Sequence, residues 1–265
     1  MSKPFFLSFD EGAENIPGVE LVGGKAASLI HLFKEGFLIP NGVVITTEFF
    51  EHCAEREISL CLAEVAESII DHANKSCFVE KVAVRSSVTV EDSGTHSFAG
   101  QFDSFLDVEK TQIVDTIGKC WQSLHSSRSE HYAQSQNNSA DKKMAVIVQE
   151  MVIAEVSGVA FSIDPVSGEN TTVIEAVFGS NESLVQGDVT PDYYKMSKGL
   201  KLLEKSIVAQ DGSSEQKLSD SQLKMIAQHV LKIKEYFGFE VDVEWAIENG
   251  QFYVLQSRPI TAVQK

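Results

Sequence analysis

The sequence is poor in basic residues and contains no long apolar run. Lys and Arg number 22 against 38 Asp and Glu, so the formal net charge is −16 at pH 7. Nucleic acids and anionic membrane surfaces attract basic proteins, and the charge therefore argues against both as main partners. No stretch approaches the roughly 18 apolar residues of a membrane span, and no signal peptide is evident at the N-terminus. These absences predict a cytoplasmic protein.

Cysteine is also scarce. The four cysteines include no C-x-x-C pair, which argues against a zinc site; they are Cys53, Cys61, Cys77 and Cys120. Scattered cysteines most often pack as small hydrophobic side chains, and we expect that here.

The spacing of apolar and polar residues along the sequence predicts an α/β (α+β) protein with two lobes. Apolar residues at helical spacing predict helices over 25–36, 47–57 and 60–74, and short β-branched runs predict more strands in the second half. A further amphipathic helix is predicted between Ser219 or Asp220 and Gly238. The polar stretch QSQNNSADKK at 134–143 marks a surface loop. We therefore predict one lobe over residues 1–143 and a second over 144–265.

The last hairpin, VDVEWAIENGQFYVLQSRPIT, permits a residue-level prediction. Asn249-Gly250 is a turn signal, and period-two alternation in the strand before it puts Asp242 and Glu244 on one face. With a two-residue loop, Glu244 would face Leu255, and Gln256 would lie on the other face.

A three-residue loop over 248–250 gives a different register. Glu244 would then face Val254 and Asp242 would face Gln256, so that Asp242, Glu244, Gln256 and Arg258 share one face. Trp245, Ile247, Tyr253 and Leu255 would occupy the other. We predict this register because it gathers the polar groups on one side.

Two interpretations of this polar face stay open. Carboxylate and amide oxygens suit Mg²⁺ that also binds phosphate oxygens, and arginine matches phosphate geometry. The face is equally compatible with an ordinary solvated hairpin.

Candidate phosphate-binding groups also occur earlier in the chain. Gly23-Gly24-Lys25 precedes a predicted helix, Arg85 follows a buried strand, and the segment 97–100 (SFAG) is a loop of small residues. Helix N-termini, cations and loop N–H groups all bind phosphate. Each has a plain alternative, namely an exposed lysine, a structural ion pair and a connecting loop. The residues alone do not name a reaction.

Six segments together resemble the N-terminal ATP-binding domain of the phosphoenolpyruvate synthase and pyruvate phosphate dikinase family, to which rifampin phosphotransferase is also similar. They occur in the family's order from about residue 20 to the C-terminus: GGKAASLIHLFKEGFLIPNGVVIT, VAVRSSVTVEDSGTHSFAGQFDSFLDV, AVIVQEMV, SGVAFSIDPVSGE, IEAVFGSNESLVQGDVTPDYY and VDVEWAIENGQFYVLQSRPIT.

The resemblance implies an ATP-grasp fold, with Mg²⁺ and ATP bound between two lobes. It assigns roles residue by residue. Phosphates would contact Lys25, Arg85 and Arg258, which are the implied catalytic cations, and the loop containing Ser97 and Gly100. Adenine would lie beside the strand Gln149, Glu150 and Met151. Magnesium and phosphate would be bound by Asp242, Glu244 and Gln256, with Glu182 as a further acidic residue.

The chain departs from the family in two loops and in what it lacks. It has Glu91-Asp92-Ser93-Gly94 where the family often has E-D-L-P, and Gly179-Ser180-Asn181-Glu182 where it often has G-L-G-E. No histidine lies in the family's T-x-G-G-x-x-x-H context. Either the chain is a fragment, or its partner domain is a separate polypeptide, or it has a different acceptor. Of these, we expect phosphoryl transfer to a histidine on a separate partner domain, as the resemblance implies. A stand-alone ATP-grasp ligase or small-molecule kinase, and a non-catalytic nucleotide-binding module, are the alternatives.

Overall fold

The computed structural model describes residues 4–54, 56, 58–76, 81–89, 104–124, 143–180, 182–209 and 215–261. The chain forms two compact units. Unit 1 comprises Met1–Gly36 and Pro40–Met151, and unit 2 comprises Phe37–Ile39 and Val152–Lys265. The structure thus places residues 144–151 in unit 1, whereas the predicted boundary assigned them to the second lobe.

Unit 1 is built on one antiparallel sheet. Its strand order is β1-β2-β5-β3-β4. The elements are β1 (Phe6–Ser8), α1 (Phe9–Glu14), α2 (Val19–Lys34), β2 (Gly42–Ile45), α3 (Thr47–Ala54), α4 (Ile58–Ser76), β3 (Lys81–Val88), β4 (Ser104–Glu109), a short 3₁₀ turn (Lys110–Gln112), α5 (Ile113–Ser123) and β5 (Met144–Glu150).

The two faces of this sheet differ. One face packs in a hydrophobic core with α3, α4 and α5, in which Trp121 and Phe49 are fully buried. Val82, Val84, Ser86 and Val88 point to that face because side chains alternate along β3. Arg85 and Ser87 therefore point to the opposite face, where α2 hydrogen-bonds to Ser87.

Two of the cysteines are joined covalently, which corrects the prediction that all four pack as plain hydrophobic side chains. Cys53 in α3 and Cys61 in α4 form a disulfide, with the two Cα atoms 5.7 Å apart. The short connection between the helices brings the two positions within bonding reach, which spacing alone did not reveal. Cys120 is a buried thiol as expected, and Cys77 lies outside the described residues.

Unit 2 contains a second antiparallel sheet, with the order β11-β10-β6-β7-β8-β9. Its elements are β6 (Val156–Phe161), β7 (Thr171–Phe178), α6 (Glu182–Gln186), β8 (Asp192–Ser197), β9 (Leu202–Ser206), α7 (Asp220–Phe237), β10 (Val241–Glu248) and β11 (Gln251–Pro259).

Helix α7 confirms the predicted amphipathic helix and its caps. Ser219 and Gln222 form a reciprocal capping box at the N-terminus, and Gly238 ends the helix in the left-handed conformation with φ 77°. His229 of α7 packs against Phe252 of β11, with ring centroids 4.6 Å apart. The helix therefore covers the face of the sheet on which Phe252 lies.

The mixed helix and sheet architecture in two units agrees with the predicted fold class. Within the described part of the chain, we find no helix with the length and apolar character needed to span a membrane.

Candidate functional site

The turn of the last hairpin differs from the prediction. Glu248 pairs with Gln251, so the loop consists of Asn249 and Gly250 alone. Both residues have positive φ, at 51° and 75°. Two positive φ values are the requirement of a type I′ turn, which Asn-Gly satisfies at little cost. The predicted three-residue loop is therefore wrong.

A β-bulge nevertheless produces the predicted polar face. Trp245 pairs with Val254, but Glu244 pairs with Gln256, so Leu255 is an extra residue in β11. The shift also puts Asp242 opposite Arg258. Directly opposed residues share a face, and all four predicted side chains therefore lie together, although the individual pairs differ from those predicted.

The apolar side of the hairpin is corrected in the same way. Phe252 and Val254, and not Tyr253 and Leu255, share a face with Trp245 and Ile247. The rings of Trp245 and Phe252 are stacked with centroids 6.1 Å apart. The prediction chose the wrong residues because it placed the extra residue in the loop and not in the strand.

Asp242 is the most buried acid of the polar face. Its Oδ2 accepts a hydrogen bond from Arg258 Nε at 2.8 Å and forms an ion pair with Arg258 Nη2 at 2.7 Å. Its Oδ1 is buried and has no hydrogen-bond partner among the described residues. Burial raises the pKa of this carboxyl and nearby Glu244 raises it further, while Arg258 opposes both effects. A buried, unsatisfied carboxylate oxygen is a suitable ligand for a hard cation.

The structure adds Glu175 of β7 to this face, a residue that the sequence prediction missed. Glu175 pairs with Val159, and Val159 pairs with Glu244, so the two acids lie on the same face in one row across the sheet. Burial raises the pKa of Glu175, and the charge of Asp242 raises it further. Period-two alternation along TTVIEAVF could have indicated an inward-facing acid, but not the pairing of β7 with β6.

The carboxylates alone do not form a complete metal site. Within the described ranges, no group of three or more His, Cys, Asp or Glu side chains is placed to hold a metal ion. Magnesium in proteins commonly keeps water and takes phosphate oxygens beside one or two carboxylates. Asp242 Oδ1, Glu244 and Gln256 fit that kind of mixed site. Glu182 is an exposed residue that opens α6, and its metal role stays a prediction.

The Gly-Gly-Lys segment of unit 1 lies inside α2. Gly23 has φ 74° and ψ 168° and divides the helix into two segments. Lys25 lies in the first turn of the second segment and is only 5% exposed. The alternative of an exposed lysine is therefore wrong. The buried cation lies in the first turn of a helical segment, and helix N-termini favour anions.

Arg85 lies on the same face of the unit 1 sheet as the α2 contact. It is 8% exposed, and its Nη1 donates to Gln149 Oε1 at 3.4 Å. Gln149 Nε2 in turn donates to the carbonyl of Pro40 at 2.9 Å. Gln149 therefore orients the guanidinium group through its side chain.

The remaining predicted residues have mixed outcomes. The Glu150 N–H donates to the carbonyl of Asn41 at 2.8 Å, and Met151 follows as the last residue of unit 1. A place for this strand beside adenine stays a prediction. Ser97, Gly100 and the loop 91–94 lie outside the described residues.

The sequence of the chain matches a known family. The model of the family described as pyruvate phosphate dikinase, AMP/ATP-binding domain, matches residues 55–265. The chain belongs to this family. Membership identifies a nucleotide-binding domain, in agreement with the family predicted from the six segments.

Relatives extend the match toward the N-terminus. A probable phosphoenolpyruvate synthase of Archaeoglobus fulgidus is 34% identical over 93% of this chain and 40% of its own length. The rifampicin phosphotransferase of Streptomyces sviceus is 31% identical over 92% of this chain and 35% of its own length. The chain thus spans less than half of these relatives.

Several solved structures align along most of the chain. One of them is an acetyl-coenzyme A synthetase from Ca. Korarchaeum cryptofilum, with 12% identity, a TM-score of 0.47, and coverage of 94% of this chain and 95% of its own.

Proposed function

We propose that this chain is the ATP-binding phosphotransferase module of a phosphoenolpyruvate synthase or pyruvate phosphate dikinase type of enzyme. It binds Mg·ATP and transfers a phosphoryl group to a histidine on a separate partner domain. The observation that carries the proposal is the polar face of the hairpin, where Asp242, Glu244, Gln256 and Arg258 lie together. We expect a cytoplasmic location, with neither nucleic acid nor membrane as a partner.

The acidic hairpin supplies the metal ligands in this proposal. Asp242 Oδ1, Glu244 and Gln256 hold magnesium, and Glu182 is a further candidate. Bound magnesium would neutralise phosphate charge and polarise phosphate oxygens. Arg258 has a double role, since it fixes Asp242 Oδ2 and presents further N–H donors that match phosphate geometry.

The cations of unit 1 act on the phosphates. Lys25 and Arg85 are buried, so their positive charges are weakly screened and strongly favour a bound anion. Together with Arg258 they offset the negative charge of the phosphates during transfer, and catalysis rests on positioning and electrostatics. Ser97 and Gly100 would cover the phosphates, and Gln149, Glu150 and Met151 would lie beside adenine.

Phosphotransfer is tested by following the label from ATP that is radiolabelled in its β- and γ-phosphates. We expect the chain, magnesium and a histidine-carrying domain of the same family to yield AMP, labelled orthophosphate and an acid-labile, base-stable labelled phosphohistidine, because the histidine keeps one of the two labelled phosphates and water releases the other. The Lys25→Ala variant should give none of these products. Release of ADP without labelled protein would contradict the histidine acceptor.

A second candidate is transfer to a small molecule, which the similarity to a rifampicin phosphotransferase favours. In that case, label would enter an added small acceptor while none remained on protein. The same labelled ATP distinguishes the two candidates, since chromatography separates labelled protein from labelled small molecules.

A further inference from the structure

The interruption of α2 at Gly23 creates a second helix start inside one continuous helical stretch. Gly23 is the one residue of α2 with non-helical φ and ψ, so the second segment begins at Gly24. Lys25 and Ala26 are then its second and third residues. An N-cap side chain normally accepts a hydrogen bond from the N–H at the second or third position. Gly23 has no side chain with which to do so.

Ser87 of β3 supplies the missing cap from another element. Its Oγ accepts a hydrogen bond from the Ala26 N–H at 3.0 Å, across 61 residues of sequence. The same hydroxyl donates to the carbonyl of Val22 at 2.8 Å. Ser87 is fully buried. One side chain therefore joins the end of the first helical segment to the start of the second.

The close approach of α2 to β3 explains why residue 23 is glycine. A Cβ atom on Gly23 would lie 2.1 Å from the backbone oxygen of Ser87, which is far inside van der Waals contact. Its φ of 74° also disfavours any residue with a side chain. Gly23 and Ser87 thus form one joint between α2 and β3.

We propose that Ser87 is a positioning residue for the polyphosphate of ATP. The joint fixes the helix that carries Lys25 to the strand that carries Arg85, two residues before Ser87 and on the same face. The hydroxyl touches neither nucleotide nor metal in this proposal, and acts through Lys25 and the helix N-terminus. The inference rests on the proposed binding of ATP, which it deepens.

The test compares Ser87→Ala with Ser86→Ala by calorimetric titration with Mg·ATP and with AMP. Ser86 is a matched control, because it is adjacent and fully buried, yet its Oγ has no hydrogen-bond partner in the described part of the chain. We expect Ser87→Ala to weaken Mg·ATP binding about five- to tenfold, a change of the same size as the loss of helix stability when an N-cap is removed. AMP lacks the β- and γ-phosphates, and its Kd should stay within about twofold.

Two further variants separate positioning from general destabilisation. Ser87→Thr retains the hydroxyl and should restore most of the ATP affinity, and it also serves as the test if Ser87→Ala does not fold. In a Lys25→Ala background, the additional effect of Ser87→Ala on ATP affinity should fall below about twofold.

Three outcomes would overturn the inference. These are unchanged ATP affinity in Ser87→Ala, equal loss of ATP and AMP affinity, and a Ser86→Ala variant that weakens ATP binding as much as Ser87→Ala. Each of them leaves the proposed function standing. A folded wild-type chain that binds no ATP would instead overturn the proposed function, and this inference with it.

Discussion

The two units assemble their charged residues by different means. In unit 2, the acidic face is produced within one hairpin, by a two-residue turn and a bulge at Leu255. In unit 1, the helix that carries Lys25 and the strand that carries Arg85 are far apart in sequence and are joined through Gly23 and Ser87. The first arrangement depends on local register, whereas the second depends on tertiary packing. Substitutions in unit 2 should therefore act mainly on the hairpin, whereas substitutions in unit 1 should disturb the packing of one element on another.

The largest effect is expected from Gly23→Ala, which would break the joint of unit 1. The added Cβ meets the backbone oxygen and carbon of Ser87 as well as its hydroxyl oxygen, so the cost combines overpacking with an unfavourable φ. We expect a loss of about 3 kcal/mol in the free energy of unfolding, measured in urea, together with weaker ATP binding.

Gly36→Ala is the matched control for this substitution. Gly36 has a similar φ of 80°, but no atom in the described part of the structure lies within 4 Å of its added Cβ. Gly36→Ala should lower the free energy of unfolding by only about 1 kcal/mol, which is the cost of the left-handed conformation alone. Equal losses in the two variants would contradict the close packing of Gly23 on β3.

Reduction of the Cys53–Cys61 disulfide tests whether the two faces of the unit 1 sheet act independently. The bridge joins helices on the sheet face opposite to α2. Opening this short loop should cost about 2.5 kcal/mol of stability in urea unfolding, while the Kd for Mg·ATP changes less than about twofold. A Cys53→Ser, Cys61→Ser double variant should lose the same stability and then be insensitive to reductant. A large loss of ATP affinity would show that the positions of Lys25 and Arg85 depend on both faces of the sheet.

Arg258→Met tests the local arrangement of unit 2. It removes the partner of the mostly buried Asp242 carboxylate, and we expect a loss of about 2 kcal/mol, reduced from the value for a fully buried pair because Arg258 is partly exposed. The double variant Arg258→Met with Asp242→Asn should recover part of this stability, because it also removes the unpaired charge. No recovery in urea unfolding would contradict the assignment of the loss to Asp242.

The smallest effect concerns pH and Glu175. Its pKa is raised in the folded protein above the ordinary value of 4.5, so its contribution to stability is fully present below that value. The contribution is lost as the pH rises through the folded-state pKa. Stability measured from pH 4 to pH 8 should therefore decline less in Glu175→Gln than in the wild type. Glu204→Gln, on the exposed strand β9, should follow the wild type, and identical slopes in all three proteins would contradict the burial of Glu175.

The features predictable from sequence were those set by short-range pattern. Alternation in β10 fixed the shared face of Asp242 and Glu244, and cap residues fixed the ends of α7. The bulge was not predictable from the sequence. An extra residue in the loop and an extra residue in the strand both place the four polar side chains on one face, so the shared face does not distinguish them. The prediction was therefore right about the shared face and wrong about the position of the extra residue.

The missed features depend on contacts between distant segments. No local pattern shows that Ser87 caps α2, that Glu175 shares a row with Glu244, or that Cys53 and Cys61 are within bonding distance. Local sequence offered Lys25 and Arg85 as phosphate-binding candidates and the resemblance to the family assigned them roles, but their burial and the connection of α2 to β3 required the structure.

The most direct test of the central claim is titration of the chain with ATP by calorimetry, in magnesium and in EDTA, for the wild type, Glu244→Gln and Glu204→Gln. We predict one ATP per wild-type chain, with affinity that falls about tenfold or more without magnesium, as expected when a charged interaction is lost. Glu244→Gln should lose most of this magnesium dependence, and Glu204→Gln should retain it. A folded wild type that binds no ATP, or a Glu244→Gln variant with unchanged magnesium dependence, would contradict the account.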